Sequence, residues 1–278
     1  MLTLLFLSAC ARDVGPFQPG PWGNDETTED TAVPVFDGLL WADEFDGPAG
    51  TSPDPSKWTY DIGGHGWGNE QLEHNTDRTD NVRLSGDGVL EIVALEESYQ
   101  SNAYTSGRIK TEGLFTFDYG RIEARIKVPA GSGLWPAFWM LGDDFSTVGW
   151  PDCGEIDILE TRGSEPRTVI NTVHGPGYSA GDGVSNTTVL AEGSTASDFH
   201  TYAVDIDPEH IVWWVDDQRV HTVRVGDIPG GTPWAFDGPF FMILNVAVGG
   251  HFDGDPDATT VFPAEMVVDE VRVYERAQ

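Results

Sequence analysis

An all-β sandwich of two antiparallel sheets is the fold class this sequence predicts, and three observations carry that expectation. Short runs that alternate apolar and polar residues recur along the chain, at 88–94 (GVLEIVA), 121–128 (RIEARIKV), 210–215 (HIVWWV) and 267–274 (VVDEVRVY). Turn-rich stretches such as 85–88 (SGDG) and 253–256 (DGDP) bound them. No long segment of 3.6-residue period competes. A chain of 278 residues could hold one or two domains, but all-β sandwiches fill such lengths as one. No internal repeat of fixed period is visible, so a single domain over 38–278 is expected.

The N-terminal stretch reads differently. Residues 2–9 form a continuous apolar run that is too short to span a membrane. It ends in 7–10 (LSAC), the pattern of a lipobox, in which cleavage precedes Cys10 and a lipid is attached to its sulfur. The expectation is an exported lipoprotein displayed on the outer membrane or cell surface. An ordinary secretory signal, giving a secreted protein, is one alternative; a truncated start is another, because the run lacks the basic n-region of a signal peptide. Residues 11–37 carry Pro16, Pro19, Pro21 and Pro34 with an acidic cluster at Asp25, Glu26, Glu29 and Asp30. With few apolar groups to offset ordering entropy, this stretch reads as a disordered acidic tether.

Composition excludes several functions. With 46 acidic and 15 basic residues the formal charge is -31, which rules out nucleic acid as a partner and disfavours sulfated polymers. A neutral ligand meets no such repulsion. If Cys10 is lipidated, Cys153 has no partner, so a disulfide framework is absent and Cys153 reads as a small buried thiol. The seven histidines show no paired spacing on a helix, which argues against a zinc site.

The chemistry concentrates in 150–160 (WPDCGEIDILE), a strand-like stretch with three carboxylates, Glu155, Asp157 and Glu160. Alternation puts Glu155 and Asp157 on one face and Ile156 and Ile158 on the other. Glu160 would point the wrong way unless one extra residue at Ile158-Leu159 is taken up as a β-bulge. The bulge yields a row of three acids, in which two glutamates can approach the roughly 5 Å separation of a retaining glycosidase. A bare acid row is more often a solvated face. Here, however, 131–142 (GSGLWPAFWMLG) lies just upstream, and Trp135 and Trp139 offer flat faces suited to sugar rings.

With these features the chain resembles the family 16 glycoside hydrolases, and within them the bacterial laminarinases that cleave β-1,3-glucans. The matching blocks are 41–45 (WADEF), 58–64 (WTYDIGG), 67–70 (WGNE), 104–108 (YTSGR), 119–125 (YGRIEAR), 135–139 (WPAFW), 154–160 (GEIDILE), 174–178 (HGPGY), 240–250 (FFMILNVAVGG) and 267–274. The resemblance implies a curved jelly roll with a concave substrate cleft. It implies Glu155 as nucleophile, Glu160 as acid/base and Asp157 as the group that tunes both. It also places Trp135, Trp139 and Trp150 against sugar rings and gives Asn69, Glu70, Arg108 and His174 to sugar hydroxyls. Each has a plainer alternative: core packing for the tryptophans, a salt bridge for Arg108, an ordinary turn for Asn69 and Glu70, a structural histidine for His174. No cofactor is implied for catalysis. A structural calcium on the convex face is, through backbone oxygens near Glu44 and Gly88 and the carboxylate of Asp269. The partner implied is a neutral β-glucan, and the expected state a monomer. Rival readings are a non-catalytic glucan-binding protein, which would lack the two glutamates, and a mixed-linkage glucanase, whose acid motif lacks the extra residue at Ile158-Leu159. A galactan hydrolase is disfavoured by the charge.

Overall fold

The computed structural model describes residues 38–275; Cys10 and the expected tether at 11–37 lie outside the described residues. In chain order the strands are β1 (Gly38–Asp43), β2 (Thr59–Tyr60), β3 (Glu73–Asn75), β4 (Val82–Leu84), β5 (Leu90–Tyr99), β6 (Asn102–Ser106), β7 (Arg108–Lys110), β8 (Gly120–Lys127), β9 (Leu134–Gly142), β10 (Glu155–Glu160), β11 (Thr168–His174), β12 (Val184–Val189), β13 (His200–Ile206), β14 (His210–Val215), β15 (Gln218–Arg224), β16 (Phe240–Val248) and β17 (Ala264–Glu275). One α-helical turn, Phe145–Val148, and one 3-10 turn, Ala180–Asp182, interrupt them among the described residues.

Two sheets result, as the alternating runs predict, and the arrangement is a jelly-roll sandwich. The larger runs β15-β14-β13-β8-β17-β5-β6-β3, with β1 joined to β17 and β4 to β5. The smaller runs β12-β11-β10-β9-β16-β7-β2. Pairing is antiparallel apart from β3 with β6, which are parallel.

Period-two patterning explains which side of each strand enters the core. Along β16, Phe240, Met242, Leu244, Val246 and Val248 join the main core between the sheets. Phe241 and Ile243 point to the opposite face, where they pack with Leu141, Cys153 and Trp139. The whole strand is buried, as suits a central strand covered on both sides. Strand β8 alternates in the same way, with Ile122, Ala124 and Ile126 in the core between β13 and β17. Cys153 is buried and free, and burial pushes its thiol up to about 11, so it is an inert packing residue. The smaller sheet thus presents one face to the core and turns the other, bearing the acids, outward.

Candidate active site

Strand β10 lies between β9 and β11. Glu155, Ile156 and Asp157 pair with Leu141, Met140 and Trp139 of β9, and the register then skips Ile158 so that Leu159 faces Phe138 and Glu160 faces Ala137. This is the expected bulge. Ile156, Ile158 and Leu159 all enter the core, which leaves Glu155, Asp157 and Glu160 on the outer face. The bulge interrupts the ladder, and two buried side chains take up the carbonyls there. Trp213 Nε1, reaching across from β14 in the other sheet, donates to the Asp157 carbonyl at 2.8 Å. Asn171 Nδ2 of β11 donates to the Ile158 carbonyl at 2.7 Å. Buried carbonyls left without partners would cost about 1–3 kcal/mol each, so these two bonds support the conformation that re-aims Glu160.

Each glutamate of the row has an indole donor. Trp150 Nε1 donates to Glu155 Oε2 at 2.7 Å, and Trp135 Nε1 to Glu160 Oε1 at 2.9 Å. His174, directly opposite Glu155 on β11, places Nε2 3.3 Å from Asp157 Oδ2 and 3.8 Å from Glu155 Oε1. Donor atoms of Glu155, Asp157 and His174 all lie within 4.8 Å of one another, a grouping compatible with a metal ion. Helical spacing could not reveal this grouping, since the histidine arrives by cross-strand pairing.

Burial dominates the electrostatics. It raises the carboxyl of Glu155 well above its ordinary range, with the Asp157 charge adding to the rise, while His174 and the Trp150 N–H oppose it by favouring the anion. Asp157 is raised by burial and then by Glu160. Glu160 is pushed up to about 7, first by burial and then by Glu155, against the pull of His174, Trp135 and Arg162. Three anions side by side are therefore disfavoured near neutral pH, and the row holds at least one proton as a coupled set.

The other expected residues divide into two groups. Trp139 borders the row: its Nε1 donates to Asn245 Oδ1 at 2.7 Å, and Arg108 lies over its ring at 4.8 Å. Arg108 is clamped between Trp139 and Trp67, also at 4.8 Å, with Nε 2.9 Å from Asp61 Oδ2; it is thus both an ion-pair partner and part of the cleft. Trp135 is stacked on Phe252 at 4.5 Å, leaving one ring face for a ligand, and Trp150 stands 44% exposed at the rim. Asn69 and Glu70 sit in the turn closed by the Gln71 N–H to the Gly66 carbonyl at 3.1 Å. The Glu70 side chain projects toward His251 at 3.8 Å. Gly250, at φ 91°, sits so close that a Cβ there would come within 2.4 Å of the Asn69 carbonyl oxygen.

Sequence reasoning did not single out Asn245, Trp67, Phe252, Asn171 or Trp213. Asn245 was within reach, as the one polar residue in the apolar run 240–248. The others act through partners far away in the chain.

Ion pairs occupy the acidic side chains around the expected calcium set. Asp269 gives Oδ2 to Arg125 at 2.6 Å, and Glu44 meets Arg272 at 2.8 and 2.9 Å through its two oxygens. The expectation gives Glu44 and Gly88 to the ion through backbone oxygens, which the Arg272 pair leaves untouched, whereas the Arg125 pair takes up one carboxylate oxygen of Asp269.

Comparison with known proteins agrees with this geometry. Residues 67–267 match the family described as "Glycosyl hydrolases family 16". The chain is 45% identical over 247 residues to the "Beta-glucanase" of Rhodothermus marinus, covering 85% of this chain and 84% of that protein. The structure matches that of an endo-beta-1,3-glucanase from Pyrococcus furiosus with a TM-score of 0.82 and 45% identity, covering 86% of this chain and 95% of that one. It matches the catalytic domain of an endo-1,3-beta-glucanase (laminarinase) from Thermotoga petrophila RKU-1 with a TM-score of 0.82 and 45% identity, covering 88% and 100%. A bulged acid strand facing outward from a jelly roll, together with a family match over most of the described chain, places this protein among the glycoside hydrolases of family 16.

Proposed function

We propose that the protein is a retaining endo-glycosidase that hydrolyses internal β-1,3-glucosidic bonds of laminarin-type glucans. Glu155 attacks the anomeric carbon as Glu160 gives its proton to the departing glycosidic oxygen, and the C–O bond to the leaving sugar breaks. Glu160, now a carboxylate, takes a proton from water; the water oxygen attacks the same carbon and frees Glu155, so two inversions give net retention. The observation that carries this reading is the acid row itself. Glu160, held near 7 by burial and by Glu155, is poised to exchange a proton near neutral pH. The Trp150 N–H and His174 pull Glu155 toward the anion that attacks, against the burial and the Asp157 charge that raise it. Asp157, between them, couples the two.

The charge of -31 supports a neutral polymer as substrate. The six-residue span Glu155–Glu160 with its bulge supports the β-1,3 over the mixed-linkage reading. An exported location, with Cys10 carrying a lipid and residues 11–37 serving as a tether, is part of the same proposal.

Glu155→Gln and Glu160→Gln are each expected to lower turnover on laminarin by several orders of magnitude with the fold retained, since an amide neither attacks nor donates the proton. Azide separates the roles in the alanine variants. Glu160→Ala should yield a β-glycosyl azide and Glu155→Ala an α-glycosyl azide; the reverse products would overturn the assignment. Laminarin, curdlan, lichenan and agarose assayed side by side test the substrate, and faster cleavage of lichenan or agarose than of laminarin would reject β-1,3 specificity.

A further inference from the structure

We propose that Glu155, Asp157 and His174 form a binding site for one transition-metal dication of the zinc type, and that the bound ion holds the enzyme inactive. The binding half stands on geometry alone; the inhibitory half rests on the role proposed for Glu155.

The donor atoms lie within 4.8 Å of one another, close enough for small side-chain adjustments to make a coordination shell. A tetrahedral Zn²⁺ with bonds of about 2.0–2.1 Å keeps neighbouring donor atoms about 3.3 Å apart. His174 Nε2 lies 3.3 Å from Asp157 Oδ2 and 3.8 Å from Glu155 Oε1, so a small swing of the Glu155 side chain completes a three-ligand set. A water would take the fourth position.

A second observation points to a ligand. Asp157 is 2% exposed, yet its Oδ2 has no hydrogen-bond partner among the described residues. The imidazole nitrogen 3.3 Å away does not meet it in hydrogen-bond geometry, so the two atoms face each other across a gap without a shared proton. An ion bridging them would satisfy both. Trp150 engages Glu155 Oε2, so Oε1 is the oxygen that faces His174, and Glu160 stays with Trp135 outside the set.

Chemistry and scaffold select the ion. One imidazole with two carboxylates suits Zn²⁺ and its neighbours in the first transition row, whereas Ca²⁺ and Mg²⁺ take oxygen. The ligands project from two adjacent paired strands, a rigid mount. The acidic surface raises the local concentration of cations. Coordination through Oε1 would neutralise Glu155 and fill the space into which the anomeric carbon must come, so ion and glucan should exclude each other.

The test uses the full-length protein stripped of metal. Calorimetric titration with ZnCl₂ should show one tight site per chain, weakened more than about tenfold in His174→Gln and in Asp157→Asn. Co²⁺ should give the intense visible absorption of a tetrahedral site, a wild-type readout that does not depend on any variant folding. A laminarin oligosaccharide should displace it. Unchanged Zn²⁺ affinity in both variants, or only the weak absorption of octahedral Co²⁺, would overturn the site. Inhibition of laminarin hydrolysis by Zn²⁺ should be competitive and reversed by EDTA; full activity with the site occupied would overturn the inhibitory half. If the metal-free protein does not hydrolyse laminarin at all while tetrahedral Co²⁺ binds, the proposed function fails and the metal site stands.

Discussion

The side chain of Asp157 is the most deeply buried of the catalytic row. It is almost fully buried between two glutamates, and its charge raises Glu155. Removing that charge while keeping the shape should let both glutamates ionise at lower pH. Asp157→Asn is therefore expected to retain measurable activity while both limbs of the kcat/KM profile on laminarin move to lower pH. An unmoved profile at wild-type turnover would mean that Asp157 is only structural. The direction follows from the sign of the interaction: the acid form of Glu160 is the active one, it is lost as pH rises through about 7, and a neutral neighbour brings that loss earlier. Tryptophan takes two parts at this scale. The N–H groups of Trp135 and Trp150 hold the glutamates, a role that a preference for sugar stacking does not anticipate, while their rings remain at the cleft.

At the scale of the element, β10 depends on its neighbours for its shape. A bulge frees carbonyls from the ladder, and here Trp213 and Asn171 engage the Asp157 and Ile158 carbonyls. Trp213→Phe keeps the ring and removes the donor. It should cost about 1–3 kcal/mol by leaving a buried carbonyl without its partner and lower kcat more than it raises KM, because the bond positions Asp157 and Glu160. Denaturant unfolding and laminarin kinetics check the two halves. Strand β3 carries a different load. Glu73 is fully buried, accepts from the Val248 N–H at 2.8 Å and from Asn75 Nδ2 at 3.3 Å, and is pushed by burial from an ordinary 4.5 up to about 7. Between those pH values the folded chain binds more protons at this residue than the unfolded chain. Its contribution is therefore intact below the lower value and is lost as pH rises through the window, at about 1.4 kcal/mol per pH unit and about 3 kcal/mol in all. Glu73→Gln should flatten stability against pH over that interval relative to wild type, read as Tm in buffers from pH 4.5 to 8. Parallel curves for the two proteins would show that Glu73 does not titrate there.

Across the whole molecule the division of labour is between sheets. The smaller sheet bears the chemistry on its outer face, and the larger sheet backs it through the shared core and through Trp213. The proposed lipid anchor at Cys10 is tested by location. Cys10→Ser is expected to release an otherwise membrane-associated protein into the soluble fraction. Fractionation with intact-mass analysis checks this, and a wild-type N-terminus without lipid would leave a secreted enzyme. If residues 11–37 act as the proposed tether, about 27 residues at up to roughly 3.3 Å each would reach several nanometres.

The sequence by itself showed the all-β class, the shared face of Glu155 and Asp157, and the place where a bulge would re-aim Glu160. These follow from a period of two that any short window displays: Glu155 and Asp157 differ by two positions and must agree, whereas Glu160 agrees only if a residue is absorbed, and apolar Ile158 and Leu159 supply it. The tertiary structure decided what surrounds the acids. His174 beside Asp157, Asn245 under Trp139, Arg108 between Trp67 and Trp139, and Trp213 behind the bulge are matters of sheet order and register between segments tens of residues apart, to which local patterning is blind. The same holds for charge. Nothing local distinguishes Asp269, neutralised by Arg125, or Glu44, neutralised by Arg272, from acids free to hold an ion. Desolvation, the leading cause of the raised carboxyls in the row, exists only once both sheets and the rim have closed around it.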